Sequence, residues 1–552
     1  MANQMQAGGG RTGWALFLLA AALFLAKCWD GVLLEDPARY AAVAKSILAT
    51  GDWVTMHQTP ATPYFNKPPL YFWATALLFR LAGPAAWAAR FWSGLAGAVA
   101  AVLLFDAARR LAGWRVGLLA GLLLALTNDF LRYGATGRLD APLVCCMTAA
   151  AWSYARWCAG GRSRWLLGVG LACGLGVLVK GPPVLVMLPA LAGAALLAGR
   201  LRRLASAPAL WAGLLAGAAL AAPWHLAVAE ANPGFWDHYV GREMVDRIEG
   251  DWKAGKPRPH YLGVLLEHGL PWTPFWLAGA GLAVQALLRQ RRDRRPDATS
   301  VHATDRKRSE AEDANGAGDA PPASPTETGP PTDPAAQVRP AQAAPEADAS
   351  PPGGAAALAA IVLPWLIVAA LAAFAPPRMY GRYLVLLHPP LAALGALALV
   401  RIVPDRALGH LRRRLWIYGV AAGVLLSVLP FTRHEDPGKT AVPAAAALVE
   451  ARLGPDDPVP LYLVEVHAPR AVVYFYTGRE SRLLDAPAEA AGAPLVLTSK
   501  AGMHYLAPFG YRPAVRSDRL WVAERVNASA AEAPLRPTAP ADGAVPPAAD
   551  SP

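Results

Sequence analysis

The residues of this chain that could do chemistry are few, and they sit between long apolar runs. Asp36 and Pro37 open the stretch DPARYAAVAKSIL. A proline suits the first turn of a helix and an aspartate its N-cap. Tyr40, Val43, Ile47 and Leu48 then fall on one face, which predicts a short amphipathic helix lying on a membrane. Asp36 is therefore either a cap or a carboxylate held at the membrane surface as a general base. Lys67 follows in FNKPP, where the prolines keep the chain extended and set the ammonium at the bilayer boundary. There it either snorkels or pairs with a lipid phosphate. Asp140, in GRLDAPL, opens an apolar run. A carboxylate at membrane depth is expensive and marks a functional position, unless it simply pairs with Arg138 or Lys180. Lys180 closes one apolar run just before Gly181-Pro182-Pro183, and two later stretches add Glu243 and Arg247, then Arg378 and Arg382. Acids among several cations suit group transfer from a lipid phosphate: the cations hold the leaving phosphate and an acid activates a hydroxyl. A transporter of such a lipid would use the same residue types, and periodicity does not separate the two.

The elements that must position these residues are membrane helices. Of 552 residues, 54% are hydrophobic and only 17% charged, and the mean hydropathy is +0.27. A soluble chain carries about a quarter charged residues. A soluble globular enzyme, a coiled coil and a fully disordered chain are excluded, and the 19 tryptophans fit interfacial belts. Runs long enough to span fall near 12–28, 87–108, 113–130, 140–158, 165–180, 182–199, 208–226, 261–287, 354–375, 381–401 and 413–431. They predict an all-α polytopic bundle of about 11–13 transmembrane helices. The first run lacks a convincing cleavage site and reads as a retained helix. The net charge of +12 lies in arginine clusters at 109–115, 162–164, 200–203, 289–295 and 401–414. That is the positive-inside pattern of an inner-membrane protein, with no nucleic-acid partner. With the N-terminus inside, all five clusters are cytoplasmic only if 69–83 does not cross, so that segment reads as interfacial or re-entrant. The same parity puts 29–86, 131–139, the Lys180 turn, 227–260, 376–380 and everything beyond 432 outside, where the chemistry is expected. The five cysteines are odd in number and lack metal-ligand spacing, so they read as small membrane-core residues.

This gives five regions. Residues 1–288 form a catalytic transmembrane module with the outer loop 29–86. Residues 289–353 lack Phe, Trp and Tyr and are rich in Pro, Ala, Asp and Glu, so they read as a disordered cytoplasmic linker. Residues 354–431 return to the membrane, 432–526 form a small periplasmic α/β domain, and 527–552 a disordered tail. In the small domain PVPLYLVEV, APLVLTSK and RLWVAERV read as strands, and PRAVVYFYTG and GMHYLAPFGY as helices or turns.

The motifs D-P-A-R-Y-A, A-T-G-D-W-V-T, P-Y-F-N-K-P-P-L-Y-F-W and W-A-A-R-F-W-S-G-L-A-G, in that order, resemble the bacterial lipid A aminoarabinose transferases. These belong to the wider protein O-mannosyltransferase group with the GT-C fold. The likeness continues through RLDAPL, GLGVLVKGPPVLVMLPAL, APWHLAVAEANPGFWDHY and RYLVLLHPPLAALGA, over most of residues 12–400. It implies an inverting transferase that takes a sugar from a polyprenyl-phosphate carrier outside the bacterial inner membrane. It assigns Asp36 the role of base and Asp140 that of second acid. It places Lys67 on the donor phosphate, Arg39 beside Asp36, and Arg247 and Arg382 where the group tends to have cations. Three departures stand out: Pro37 where the group has Glu, Asn66 where it has Glu, and Glu243-Met244 where it often has Glu-His. These losses argue against a bound divalent metal, and no cofactor is implied. Aminoarabinose, another pentose and a hexose all fit as the sugar; lipid A, another glycan and protein all fit as the acceptor. A flippase for a lipid-linked sugar and a non-catalytic envelope scaffold are the rival readings.

Overall fold

The computed structural model describes residues 2–29, 32–33, 35–245, 256–293, 353–376, 380–428, 437–454, 457–462, 469–490, 493–516 and 521–525. Most of the expected linker, the expected tail, Arg247 and Arg378 lie outside the described residues, as does the side chain of Glu243. Two compact units are present: one of 1–30, 43–58 and 62–432, the other of 31–42, 59–61 and 433–552.

In the larger unit the apolar runs are helical, because at membrane depth each backbone N–H and C=O must be satisfied within its own segment. The helices are α1 (Ala2–Ala26), α2 (Glu35–Thr50), α3 (Leu70–Ala82), α4 (Ala86–Ala112), α5 (Trp114–Leu126), α6 (Asn128–Ala135), α7 (Asp140–Gly160), α8 (Leu167–Lys180), α9 (Met187–Leu197), α10 (Leu201–Ala205) and α11 (Pro208–Ala231). After a π-helical segment, Asp237–Val245, come α12 (Arg258–His268), α13 (Thr273–Asp293), α14 (Gly354–Phe374), α15 (His388–Leu399) and α16 (Asp405–Val428). Among the described residues five helical stretches are long and apolar enough to cross a membrane alone, or six if α5 and α6 count as one bent span. Helix α4 packs against α1, α5 and α7, and α8 against α11. The last contact depends on glycine: a Cβ on Gly170 would lie 2.0 Å from the Gly213 carbonyl carbon, and one on Gly174 2.4 Å from the Gly217 oxygen. Backbones approach this closely only through small residues.

The structure corrects several boundaries. The run 113–130 bends by 59° between α5 and α6, because Thr127 is extended (φ −70°, ψ 118°) and its hydroxyl caps the Leu123 carbonyl at 2.7 Å. The run 261–287 is two helices, since Gly269 and Pro271 interrupt the backbone hydrogen bonding. The run 381–401 opens as a 3-10 turn, Gly381–Leu387, and Pro389 and Pro390 then start α15, where their missing N–H groups are tolerated. Helix α13 runs to Asp293, past the composition break at 289. Helix α2 begins at Glu35 rather than after an Asp36 cap. Glu35 has φ +54°, so it is the left-handed residue at the entry and Asp36 sits in the first turn. Tyr40, Val43 and Ile47 are buried on the expected face, but Leu48 is exposed.

In the smaller unit five strands form one sheet in the order β4-β3-β5-β7-β6. They are β3 (Val459–Tyr462), β4 (Ser481–Leu483), β5 (Leu495–Thr498), β6 (Tyr511–Val515) and β7 (Trp521–Arg525); β1 (His57–Thr59) and β2 (Thr62–Pro63) make a separate ribbon. The pairs β3–β4 and β3–β5 are parallel, β5–β7 and β6–β7 antiparallel. Helix α17 (Pro437–Arg452) and helix α19 (Lys500–Leu506) cover opposite faces, with α18 (Pro469–Thr477) between them in sequence. Leu495 and Leu497 pack with Val449 on one face, and Val496 packs with Met503 on the other. This is the period of two expected of a strand covered on both sides. The first-loop pieces 31–42 and 59–61 belong to this unit: Leu33 N–H donates to Tyr476 Oη at 2.7 Å, and Ala61 N–H donates to Glu480 at 3.1 Å.

Candidate functional site

Asp140 is the first residue of α7 and Lys180 the last of α8. Each charge thus sits where its helix dipole favours it, the acid at an N-terminus and the ammonium at a C-terminus. The two meet: Lys180 Nζ donates to Asp140 Oδ1 at 2.5 Å. Their side chains are only 13% and 5% exposed, so the pair is screened from solvent. The turn that frees Lys180 from its helix is Gly181, at φ +90°, and a Cβ there would meet Tyr239 Oη at 2.7 Å. Of the two partners considered for Asp140, the structure selects Lys180, and Arg138 remains near.

The pair does not stand alone. Arg382 and Arg138 both add positive potential at Asp140. Arg382 lies over the ring of Tyr380 at 4.4 Å and Tyr383 at 6.0 Å; Arg138 and Arg132 flank the ring of Tyr133 at 5.9 and 5.4 Å. Lys180 pairs with this buried carboxylate while Arg138 and Arg382 add positive potential to it, a grouping of cations of the kind that holds a phosphate. An apolar cavity of about 530 Å³ opens between α8 and α11, lined by Val177, Pro182, Leu185, Leu226, Trp236 and Tyr239 among others.

A second polar pair lies in the same unit. His268, the last residue of α12, bonds through Nδ1 to Oδ1 of Asp129, the second residue of α6, at 3.0 Å. His388 is fully buried, and neither ring nitrogen has a hydrogen-bond partner among the described residues. The pair joins residues 139 positions apart, so only a three-dimensional fold brings it into view. Tyr133, which feels both Asp129 and Asp140, likewise carries no local signal in the sequence; a Cβ on Gly381 would lie 3.8 Å from its hydroxyl.

The other expected residues are placed as follows. Lys67 Nζ donates to the Asn66 carbonyl at 2.7 Å. In the smaller unit Arg39 reaches Asp36 at 3.4 Å, one helical turn on, with the aspartate side chain 18% exposed. Among the described residues no three His, Cys, Asp or Glu side chains converge in a way that would hold a metal ion.

Residues 66–226 match the sequence pattern of the dolichyl-phosphate-mannose-protein mannosyltransferase family. The undecaprenyl phosphate-alpha-4-amino-4-deoxy-L-arabinose arabinosyl transferase of Edwardsiella ictaluri is 32% identical over 276 residues, 47% of this chain and 48% of that protein. Its counterpart in Pseudomonas aeruginosa strain UCBPP-PA14 is 33% identical over 280 residues, 48% of this chain and 49% of that protein. The matched portion of the chain thus spans about half the length of these relatives. The crystal structure of ArnT from Cupriavidus metallidurans bound to undecaprenyl phosphate superposes with a TM-score of 0.65, covering 95% of this chain and all of that one at 18% identity. By fold the chain is like ArnT of Cupriavidus metallidurans, and by sequence it resembles the aminoarabinose transferases and, over residues 66–226, the dolichyl-phosphate-mannose-protein mannosyltransferase family.

Proposed function

We propose that the chain is a membrane glycosyltransferase that moves a sugar from a polyprenyl-phosphate carrier to lipid A or another envelope acceptor, on the periplasmic face of a bacterial inner membrane. The observation that carries this reading is the buried Asp140–Lys180 pair with Arg138 and Arg382 beside it. The apolar cavity lined by Val177 and Pro182, on either side of the Lys180 turn, suits an isoprenoid tail, and the cations suit its phosphate.

In this reading Asp36 takes the proton of the acceptor hydroxyl as its oxygen attacks the anomeric carbon. The bond from that carbon to the phosphate oxygen breaks, its electron pair leaves with the polyprenyl phosphate, and configuration inverts. Lys180, Arg382 and Lys67 stabilise the charge that develops on the leaving phosphate. Asp140 acts by holding Lys180 in place, and Arg39 by orienting Asp36. The relatives named for aminoarabinose transfer favour that sugar among those that fit.

The test is mass spectrometry of lipid A and of the polyprenyl-phosphate-sugar pool in a deletion strain complemented by wild type or by Asp36→Asn. Loss of one sugar from lipid A with build-up of its donor, rescued only by wild type, is expected. Full rescue by a folded Asp36→Asn protein would overturn the role of Asp36. Unchanged lipid A in the deletion strain would remove lipid A as the acceptor.

A further inference from the structure

A third polar cluster lies at the opposite end of α7, far from the groups assigned to transfer. Asp106, near the C-terminus of α4, accepts from Arg109 Nε at 2.8 Å and Arg110 Nε at 2.6 Å. It also accepts from the Trp152 indole at 2.8 Å, and Arg156 approaches at 3.5 Å. The Arg156 guanidinium stacks on Trp165 with its carbon 3.7 Å from the ring centre, and Arg164 lies over the same ring at 5.8 Å. Three guanidinium charges, those of Arg109, Arg110 and Arg156, thus face one carboxylate. The C-terminal dipoles of α4 and α7 supply roughly one further negative charge between them. About one positive charge remains unbalanced, with Arg164 beside it on the Trp165 ring.

Ordinary cytoplasmic anchors splay into water and need no partner. These arginines instead converge, held by indoles and a shared acid. Arg156 Nε is buried and makes no hydrogen bond among the described residues, while the side chains of Arg110 and Arg156 stay 26% and 23% exposed. The Arg156 guanidinium, beside Trp152 and Trp165, and that of Arg110 are thus partly open to solvent at the C-terminal ends of α7 and α4. We propose that this cluster is a binding site for the phosphate of an anionic phospholipid, with the Arg110 and Arg156 forks on the phosphate oxygens and the acyl chains lying along the bundle. The proposal is independent of the transfer reaction.

Native mass spectrometry of the full-length protein, released from membranes of equal phosphatidylglycerol and phosphatidylcholine, tests it. Wild type is expected to retain phosphatidylglycerol over phosphatidylcholine by about tenfold, and Arg110→Gln/Arg156→Gln to fall to parity. Asp106→Asn is expected to retain phosphatidylglycerol about fivefold more strongly, a gain that a merely structural cluster would not give. Equal retention of the two lipids by wild type, which needs no variant to fold, would overturn the proposal. So would an undiminished preference in the double variant, or displacement of the lipid by millimolar inorganic phosphate, which would make the site one for the free ion.

Discussion

The two ends of α7 solve opposite problems with the same residue types. At its first residue Asp140 is buried and meets Lys180 in one short, solvent-screened pair. Sixteen residues on, a rise of about 24 Å, Arg156 joins two other arginines on Asp106 in a half-open cluster. Both ends obey the helix dipole, which favours acid at the start and base at the finish. They differ in redundancy and in solvent. The first end sets one buried acid against Lys180 in a low-dielectric setting, with Arg138 and Arg382 adding positive potential to the same carboxylate. The second has more cations than its acid can use, and water at the door. Charge complementarity at the first end is therefore structural as well as functional, whereas at the second it is a surplus available to a ligand.

The largest effect should come from breaking the first end. Lys180→Met takes the hydrogen-bonded partner from the buried Asp140 carboxylate and leaves it to Arg138 and Arg382, a loss of about 3 kcal/mol. Asp140→Asn/Lys180→Met removes both charges and should recover most of that stability, while transfer stays abolished because the cation that holds the phosphate is gone. Thermal unfolding in detergent reads the first quantity, and transfer from a polyprenyl-phosphate sugar reads the second. A Lys180→Met protein as stable as wild type would show that the pair is not what holds these helix ends.

How far these two ends were legible in the sequence follows from distance along the chain. The arginine clusters at 109–115 and 162–164 are local, so their place between apolar runs was readable. That Arg156 joins Arg109 and Arg110 on Asp106 was not, because it needs α4 and α7 to lie side by side. Asp140 stood out as an acid opening an apolar run, but its partner lay 40 residues away and two candidates stayed open. The apolar runs were readable as helices, but against the roughly 11–13 spans expected only five described helical stretches, or six with α5 and α6 joined, are long and apolar enough to cross alone. The 59° bend after Leu126 and the break at 269–272 were not readable, because Thr127, Gly269 and Pro271 barely dent the hydropathy. In the small domain β4 and β6 were missed: one is three residues long, and the other carries Pro513, which disfavours a strand except at an edge. β6 is indeed the edge of its sheet.

A smaller effect, of opposite sign, tests whether every polar group near the first end is needed. His388 is fully buried, its ring nitrogens unbonded among the described residues, and it sits between the rings of Phe130 and Trp276 at 6.4 and 6.2 Å. Phenylalanine fills much the same space without the desolvated nitrogens, so His388→Phe should be neutral or stabilise by up to about 1 kcal/mol. A clear loss of melting temperature would instead tie His388 to the neighbouring Asp129–His268 pair as a working group.

The smallest effect belongs to the other end, and its size is the point. Arg156→Gln removes one cation of several around Asp106, on a side chain that solvent already reaches. Arg109 and Arg110 still neutralise the acid, so the stability change should be about 0.5 kcal/mol or less. Salt separates the two ends further. Raising ionic strength shortens the Debye length to a few ångströms, which weakens the open cluster and spares the buried pair. The Arg156→Gln difference from wild type should thus shrink toward zero in about 1 M salt, while the Lys180→Met difference persists. If both differences faded together, the Asp140–Lys180 pair would have to be reached by solvent as readily as Asp106, and the contrast between the two ends of α7 would be lost.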